Sequence, residues 1–320
     1  MPVQRTPGAR TPRTAGTATP QETAGGTSSP RPYPPVPGVR HHHVTVDGVR
    51  LHYAEAGDPG APPVLLVHGF PQHWYTWRHL LPGLAGEYRL ICLDMPGFGW
   101  SQASSGGYGT DRRAADLVAV LDALGLERVR LLAHDWGAWA GFLACARSPE
   151  RFSHFLALNM VHPWPTRRNT LRHAWRFWYT VLLEWPPLGR QVLRRWPAFT
   201  RYLLRRGVAD RAAWRAGEIE EFATAARQPH SARAGEGIHR AFVAHDIAAL
   251  RRKEFHSLRL TVPTVILAGE RDVVIPPGLL AGGELFADAL AVEVLPGCGH
   301  CPQHERPELV VAAARRLFAS

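Results

Sequence analysis

Six short, almost wholly apolar runs recur along this chain: Val64 to Val67, Leu90 to Leu93, Val129 to Ala133, Phe155 to Leu158, Val265 to Leu267 and Val292 to Leu295. Helix-length stretches, such as Arg112 to Leu124 and Trp136 to Ala146, lie between most of them. Strands that must be apolar on both sides are strands covered on both sides. The pattern therefore predicts an α/β fold, a mostly parallel sheet with helices on both faces. Ahead of it, His41 to Val46, the turn Asp47-Gly48 and Val49 to Tyr53 read as a hairpin. His41-His42-His43 alone would fit a metal site or a tag, but it runs straight into the first hairpin strand. The rhythm stops at Pro163, and only helical segments broken by Trp185-Pro186-Pro187 and Trp196-Pro197 follow until strands resume near Leu260. The expected organisation is a disordered tail over 1–40, an α/β core over 41–162 and 251–320, and an all-helical insertion over 163–250.

Composition excludes several classes. Large apolar residues are spread over most of the length, so a disordered chain is excluded. No apolar run approaches the roughly 18 residues of a membrane span. The N-terminus has arginines but no apolar segment of a secretory signal, and four cysteines do not make a disulfide scaffold. A soluble, cytoplasmic protein is expected. The net charge of +10 is uneven. Residues 1–40 carry Arg5, Arg10, Arg13, Arg31 and Arg40 against Glu22, and residues 163–216 carry twelve Arg against Glu184 and Asp210, or +10. Clustered Arg would suit nucleic acid or an anionic membrane. Here it is interleaved with Trp, Leu and Pro, which reads as the solvated faces of amphipathic helices. Neither nucleic acid nor membrane is expected as a partner; oligomeric state is not legible.

Three segments carry chemistry. In Leu132-Ala133-His134-Asp135-Trp136-Gly137-Ala138, a strand passes to a helix through a bend with small residues two before and two after Asp135. That spacing fits a nucleophile elbow, which lifts one side chain above the sheet. A carboxylate is already nucleophilic at neutral pH and would form an ester with its substrate. The competing reading is an Asp that caps the following helix. His68-Gly69-Phe70-Pro71 follows the strand ending at Val67. In such an arrangement the Phe70 and Trp136 amides would form an oxyanion hole. Finally, Asp272 and His300 each follow a strand, on loops expected at the same sheet edge. The chain order Asp135, Asp272, His300 is nucleophile, acid, histidine.

With these motifs, and with Asp94-Met95-Pro96-Gly97-Phe98-Gly99, the chain resembles the α/β-hydrolase superfamily, and within it the epoxide hydrolase branch. The resemblance implies that Asp135 attacks an epoxide carbon and that His300, oriented by Asp272, activates the water that cleaves the ester. It implies that the insertion is a cap whose two tyrosines assist ring opening. Tyr179 stands where the first is expected. The second position falls on His239, in Gly237-Ile238-His239-Arg240, where an imidazole would have to act as the donor; Tyr202 is a spare candidate. Substrate and water are the only partners implied, and no cofactor or metal.

A haloalkane dehalogenase-like enzyme would share the Asp nucleophile and Trp136, but usually has Asn where Phe70 stands. A non-catalytic ligand receptor on the same scaffold is the reading from another class, against which all three triad positions are filled. Cys298-x-x-Cys301 with His304 has a spacing that could hold zinc, yet His300 must stay free for the triad. Trp164, Trp175, Trp178, Trp185, Trp196 and Trp214 are expected mostly to pack the insertion onto the core, some lining a tunnel for an apolar epoxide.

Overall fold

A computed structural model describes residues 31–104 and 106–320. Most of the expected tail, residues 1–30, lies outside the described residues. Eight strands form one sheet: β1 (Arg40–Val46), β2 (Val49–Ala56), β3 (Pro63–Val67), β4 (Arg89–Leu93), β5 (Val129–His134), β6 (Phe152–Leu158), β7 (Thr264–Gly269) and β8 (Leu290–Leu295). Their order across the sheet is β1-β2-β4-β3-β5-β6-β7-β8. The hairpin pairs antiparallel, β2 pairs antiparallel with β4, and every later pairing is parallel. β1 starts inside the segment expected to be tail. Arg40 is held there by an ion pair to Glu55 at 3.0 Å, and Val36 and Val39 pack on the core just before it.

The two-residue period of a strand explains the uninterrupted apolar runs. Leu65, Leu131 and Phe155 face one side and pack with Trp139 and Phe142 of the helix Trp136–Arg147. Their neighbours Leu66, Leu132 and Leu156 face the other side, against Trp74, Trp77 and Phe318. These three runs feed two cores at once, which holds them almost wholly apolar, whereas the run Val292 to Leu295, in the edge strand β8, leaves Val292 and Val294 exposed.

Between β6 and β7 every element is helical, beginning with Arg167–His173 and including Thr180–Glu184, Leu188–Arg195, Pro197–Arg206, Glu218–Ala226 and Pro229–Ala241. This insertion has a small apolar centre of its own, Leu183, Leu193, Phe199 and Ala232, against which Phe70 from the core packs. Two buried polar ties bind it to the core. Arg78 grips Glu218 through two contacts, 2.8 and 2.6 Å, and Glu305 accepts the Ala209 and Asp210 amides at 2.8 and 3.1 Å. Residues 35–320 make one compact unit, insertion included. The tryptophans depart from expectation: Trp164 is buried and Trp214 partly so, but Trp175, Trp178, Trp185 and Trp196 are exposed.

Candidate active site

Asp135 sits at the bend between β5 and the helix Trp136–Arg147, with φ 50° and ψ −127°. A non-glycine residue held there is strained, and strain persists only where surrounding structure enforces it. The enforcement is visible at Gly137, where a Cβ would come within 2.4 Å of the Val67 carbonyl and 2.5 Å of that of His68. The end of β3 thus presses on the first turn of the helix, and only glycine allows that approach. Asp135 does not cap the helix with its side chain, and its Oδ1 is buried without a hydrogen-bond partner.

The loop after β8 brings His300 to this carboxylate, with Nε2 3.7 Å from Asp135 Oδ2. On the other side of the ring, Nδ1–H donates to Asp272 Oδ2 at 2.7 Å. Asp272 is itself aimed, because its Oδ1 accepts the Val274 and Ile275 amides at 2.6 and 3.0 Å. Asp135 and His300 are each 8% exposed. The three residues picked from sequence therefore share one buried site at the carboxyl ends of the parallel strands.

Residues that sequence reasoning missed hold the His300 loop. Asn159, at the end of β6 with φ 41°, accepts the Gly269 amide at 2.7 Å and donates to the Gly299 carbonyl at 2.8 Å. It pins the Asp272 and His300 loops together. His134 donates from Nε2 to the His300 carbonyl at 2.9 Å, and its Nδ1 accepts from Gln303 at 3.2 Å. Glu305 accepts the Gly299 amide at 2.7 Å while holding the insertion. Position at a strand end was the signal available for Asn159; His134 carried none beyond adjacency to Asp135.

Charge follows geometry. Burial alone would push the His300 imidazole down, but the Asp272 carboxylate and then Asp135 outweigh it and raise its pKa to about 10. Burial would push Asp135 up, yet its contacts with His300, the His134 ring and the Trp136 amide keep it below the usual carboxylate value. At neutral pH the site rests as an ionised carboxylate beside an imidazolium.

From the insertion, Tyr179 borders the site closely enough for Asp135 and Asp272 to act on it. Burial first, then those two charges, push its phenol up, so it stays protonated. His239 is 2% exposed, its ring edge-to-face with Phe70 at 4.9 Å and with Trp136 at 5.3 Å between centroids. Its Nδ1 lies 2.7 Å from the Gly235 carbonyl, which can only accept, so Nδ1 carries the proton. Burial drives the ring's pKa down to about 4. Nε2, buried and without a partner, therefore presents a lone pair. The donor role expected of His239 would need a charged ring that this environment disfavours. Tyr202 is largely exposed.

The Cys298/Cys301/His304 spacing resolves differently from a metal cluster. Cys298 Sγ faces Glu305 at 3.8 Å and Cys301 Sγ faces Gln72 at 3.9 Å. His304 Nε2 lies 3.1 Å from both Gln72 and Thr76, and its Nδ1 3.3 Å from Arg78. Burial raises both thiols.

The chain is similar to known proteins. A curated relative, Epoxide hydrolase 4 of Mus musculus, is 40% identical over 128 residues, 39% of this chain and 36% of that protein. The chain thus spans about a third of the length of that relative. Epoxide hydrolase A of Mycobacterium tuberculosis is 29% identical over 303 residues, covering 84% of this chain and 94% of that protein. Among solved structures, wild-type Cfl2 from Burkholderia cenocepacia superposes with a TM-score of 0.79 at 28% identity, over 88% of this chain and 96% of that one. The family model described as the alpha/beta hydrolase fold matches residues 62–307. With that match over most of its length, the chain belongs to the α/β-hydrolase fold family.

Proposed function

We propose that the protein is an epoxide hydrolase that opens an epoxide to a vicinal diol through a covalent ester on Asp135. The observation that carries the reading is the buried line Asp135–His300–Asp272, at 3.7 and 2.7 Å, with the carboxylate raised on a strained bend. Ionised Asp135 attacks an epoxide carbon and the carbon–oxygen bond breaks. The departing oxygen takes its proton from Tyr179, which the insertion, acting as a cap, holds over the site. The free Nε2 of the neutral His239 ring can only accept a hydrogen bond, so Tyr179 is the acid.

Ester formation erases the charge of Asp135. One of the two carboxylates that hold His300 protonated is then gone, its pKa falls, and its proton returns to the Tyr179 phenolate left by ring opening, which leaves the imidazole free to act as a base. It takes a proton from water, whose oxygen attacks the ester carbonyl. The oxyanion would be held by the Phe70 and Trp136 amides, each such donor being worth about 3 kcal/mol. Collapse expels the diol oxygen, which takes a proton from His300, and the regenerated Asp135 carboxyl gives its own proton to the imidazole, restoring the resting pair. Epoxide chemistry is favoured over halide release because Phe70 replaces a halide-binding amide and because the relatives above carry epoxide hydrolase names. Apolar surroundings of Phe70, Trp136 and Tyr179 favour an apolar substrate such as styrene oxide over glycidol.

His300→Gln separates the two steps. Incubated with a panel of epoxides, it should accumulate a protein adduct of one substrate mass, read by intact mass spectrometry. A variant that binds epoxides but shows no adduct would remove the covalent scheme. Halide release by the wild type without diol formation would favour the dehalogenase reading.

A further inference from the structure

Among the described residues, eight large apolar side chains exposed to solvent lie between Leu171 and Tyr202, against five in all the rest. Six of them, Leu171, Trp175, Trp178, Val181, Trp185 and Leu188, follow one another in steps of four, three, three, four and three residues. Over the nearly continuous helical run 167–184 that spacing returns Leu171, Trp175, Trp178 and Val181 to the same side, and Trp185 and Leu188 follow, one just past the end of that run and the other at the start of the helix Leu188–Arg195. The side chains between them, Tyr179, Leu182 and Leu183, turn inward to the centre of the insertion. Trp175 is 63% exposed and Trp185 66%, well beyond what scattered surface residues require, and a contiguous patch of this kind marks an interaction surface.

Charge identifies what covers it. Arg167, Arg168 and Arg172 on the same segment, and Arg194 and Arg195 at the end of the helix that Leu188 begins, are exposed, and among the described residues none of them forms an ion pair with a carboxylate. With a balance of +10 over 163–216, a second copy of this face would meet its own charge, and the 1–40 segment, at +4, carries the same sign. Nucleic acid would use the arginines and stack on Trp, but would leave Leu171, Val181 and Leu188 wet. A bilayer uses all three kinds: arginines at headgroup phosphates, indoles at the interface, and aliphatic tips at the acyl boundary.

We infer that the Leu171–Leu188 face docks the protein peripherally on an anionic lipid surface. The same segment carries Tyr179 on its inner side, so an apolar substrate dissolved in the bilayer would reach the protein beside its site. The inference rests on the surface alone and holds whatever reaction Asp135 performs.

The test is flotation of the full chain with vesicles of phosphatidylcholine, with and without phosphatidylglycerol, alongside tryptophan fluorescence and quenching by brominated lipid. The wild type should float with the anionic vesicles and blue-shift. Arg167→Gln/Arg168→Gln/Arg172→Gln should weaken binding roughly a hundredfold, and Trp175→Ser/Trp185→Ser should abolish the quenching while leaving turnover of a water-soluble epoxide unchanged. Three results would overturn the proposal: no flotation, flotation indifferent to both variants, or a dimer or a nucleic-acid complex that the tryptophan variant abolishes while vesicles go unbound.

Discussion

Tryptophan behaves in opposite ways in the two regions of this molecule. In the core, Trp74, Trp77 and Trp139 are wholly enclosed between sheet and helix. In the insertion, Trp175, Trp178, Trp185 and Trp196 stand in solvent. The core has a second surface to bury them against, namely the sheet. The insertion is made of short helices whose shared centre holds four buried residues, and it cannot enclose four indoles as well. What a residue does is set by whether a partner layer exists, not by its hydrophobicity.

The same division runs through the chemistry. Under the proposed mechanism the core supplies Asp135, Asp272 and His300, fixed by strand ends and loop hydrogen bonds, whereas the insertion supplies Tyr179 from a short helical segment. Asp135→Ala should therefore be the most damaging change, lowering turnover at least about ten-thousandfold with the fold intact; comparable turnover would break the division at once. Trp139→Ala, in the core, should cost about 3–5 kcal/mol of stability in chemical denaturation. Tyr179→Phe should slow ring opening by about a hundredfold in single-turnover kinetics, less than any core triad change.

Acid and alkali probe the core's buried histidines. Burial holds His68 down at about 4 and His134 at about 3, against the ordinary 6.5. As pH falls below 6.5 the unfolded chain takes up protons that these rings refuse, so stability drops. His300, raised to about 10, acts in the opposite sense: its contribution is complete below 6.5 and is lost as pH climbs toward 10. From these groups the melting temperature should peak near pH 6.5, and Asp135→Asn should flatten the alkaline side; an unchanged alkaline side would show that Asp135 does not hold the proton on His300. The smallest effect belongs to the exposed tryptophans. Trp185→Ser should move unfolding by no more than about 0.5 kcal/mol, and a loss on the scale of Trp139→Ala would mean that the insertion encloses it after all.

Much of the core could be read directly from the chain. The runs at 64–67, 90–93, 129–133 and 155–158 fall within β3, β4, β5 and β6, because a strand covered on both faces is held to apolar side chains at nearly every position. The bend at Asp135 was legible from the small residues it requires. Asn159 and His134 were not, since each acts by joining segments more than a hundred residues apart. The state of His239 was equally hidden. Its identity allows donor or acceptor, and only the carbonyl of Gly235 decides which nitrogen holds the proton.

Sequence by itself determined the layered architecture, the place where the helical insertion interrupts it, and the order of Asp135, Asp272 and His300, because periodicity, turn sterics and chain order are local or linear properties. Tertiary structure alone decided the 3.7 Å approach of His300 to Asp135, the lone pair on His239 and the exposure of the insertion's tryptophans. Those depend on which surfaces distant segments bring together and on how much water they leave between them, and neither quantity is written in any one stretch of chain.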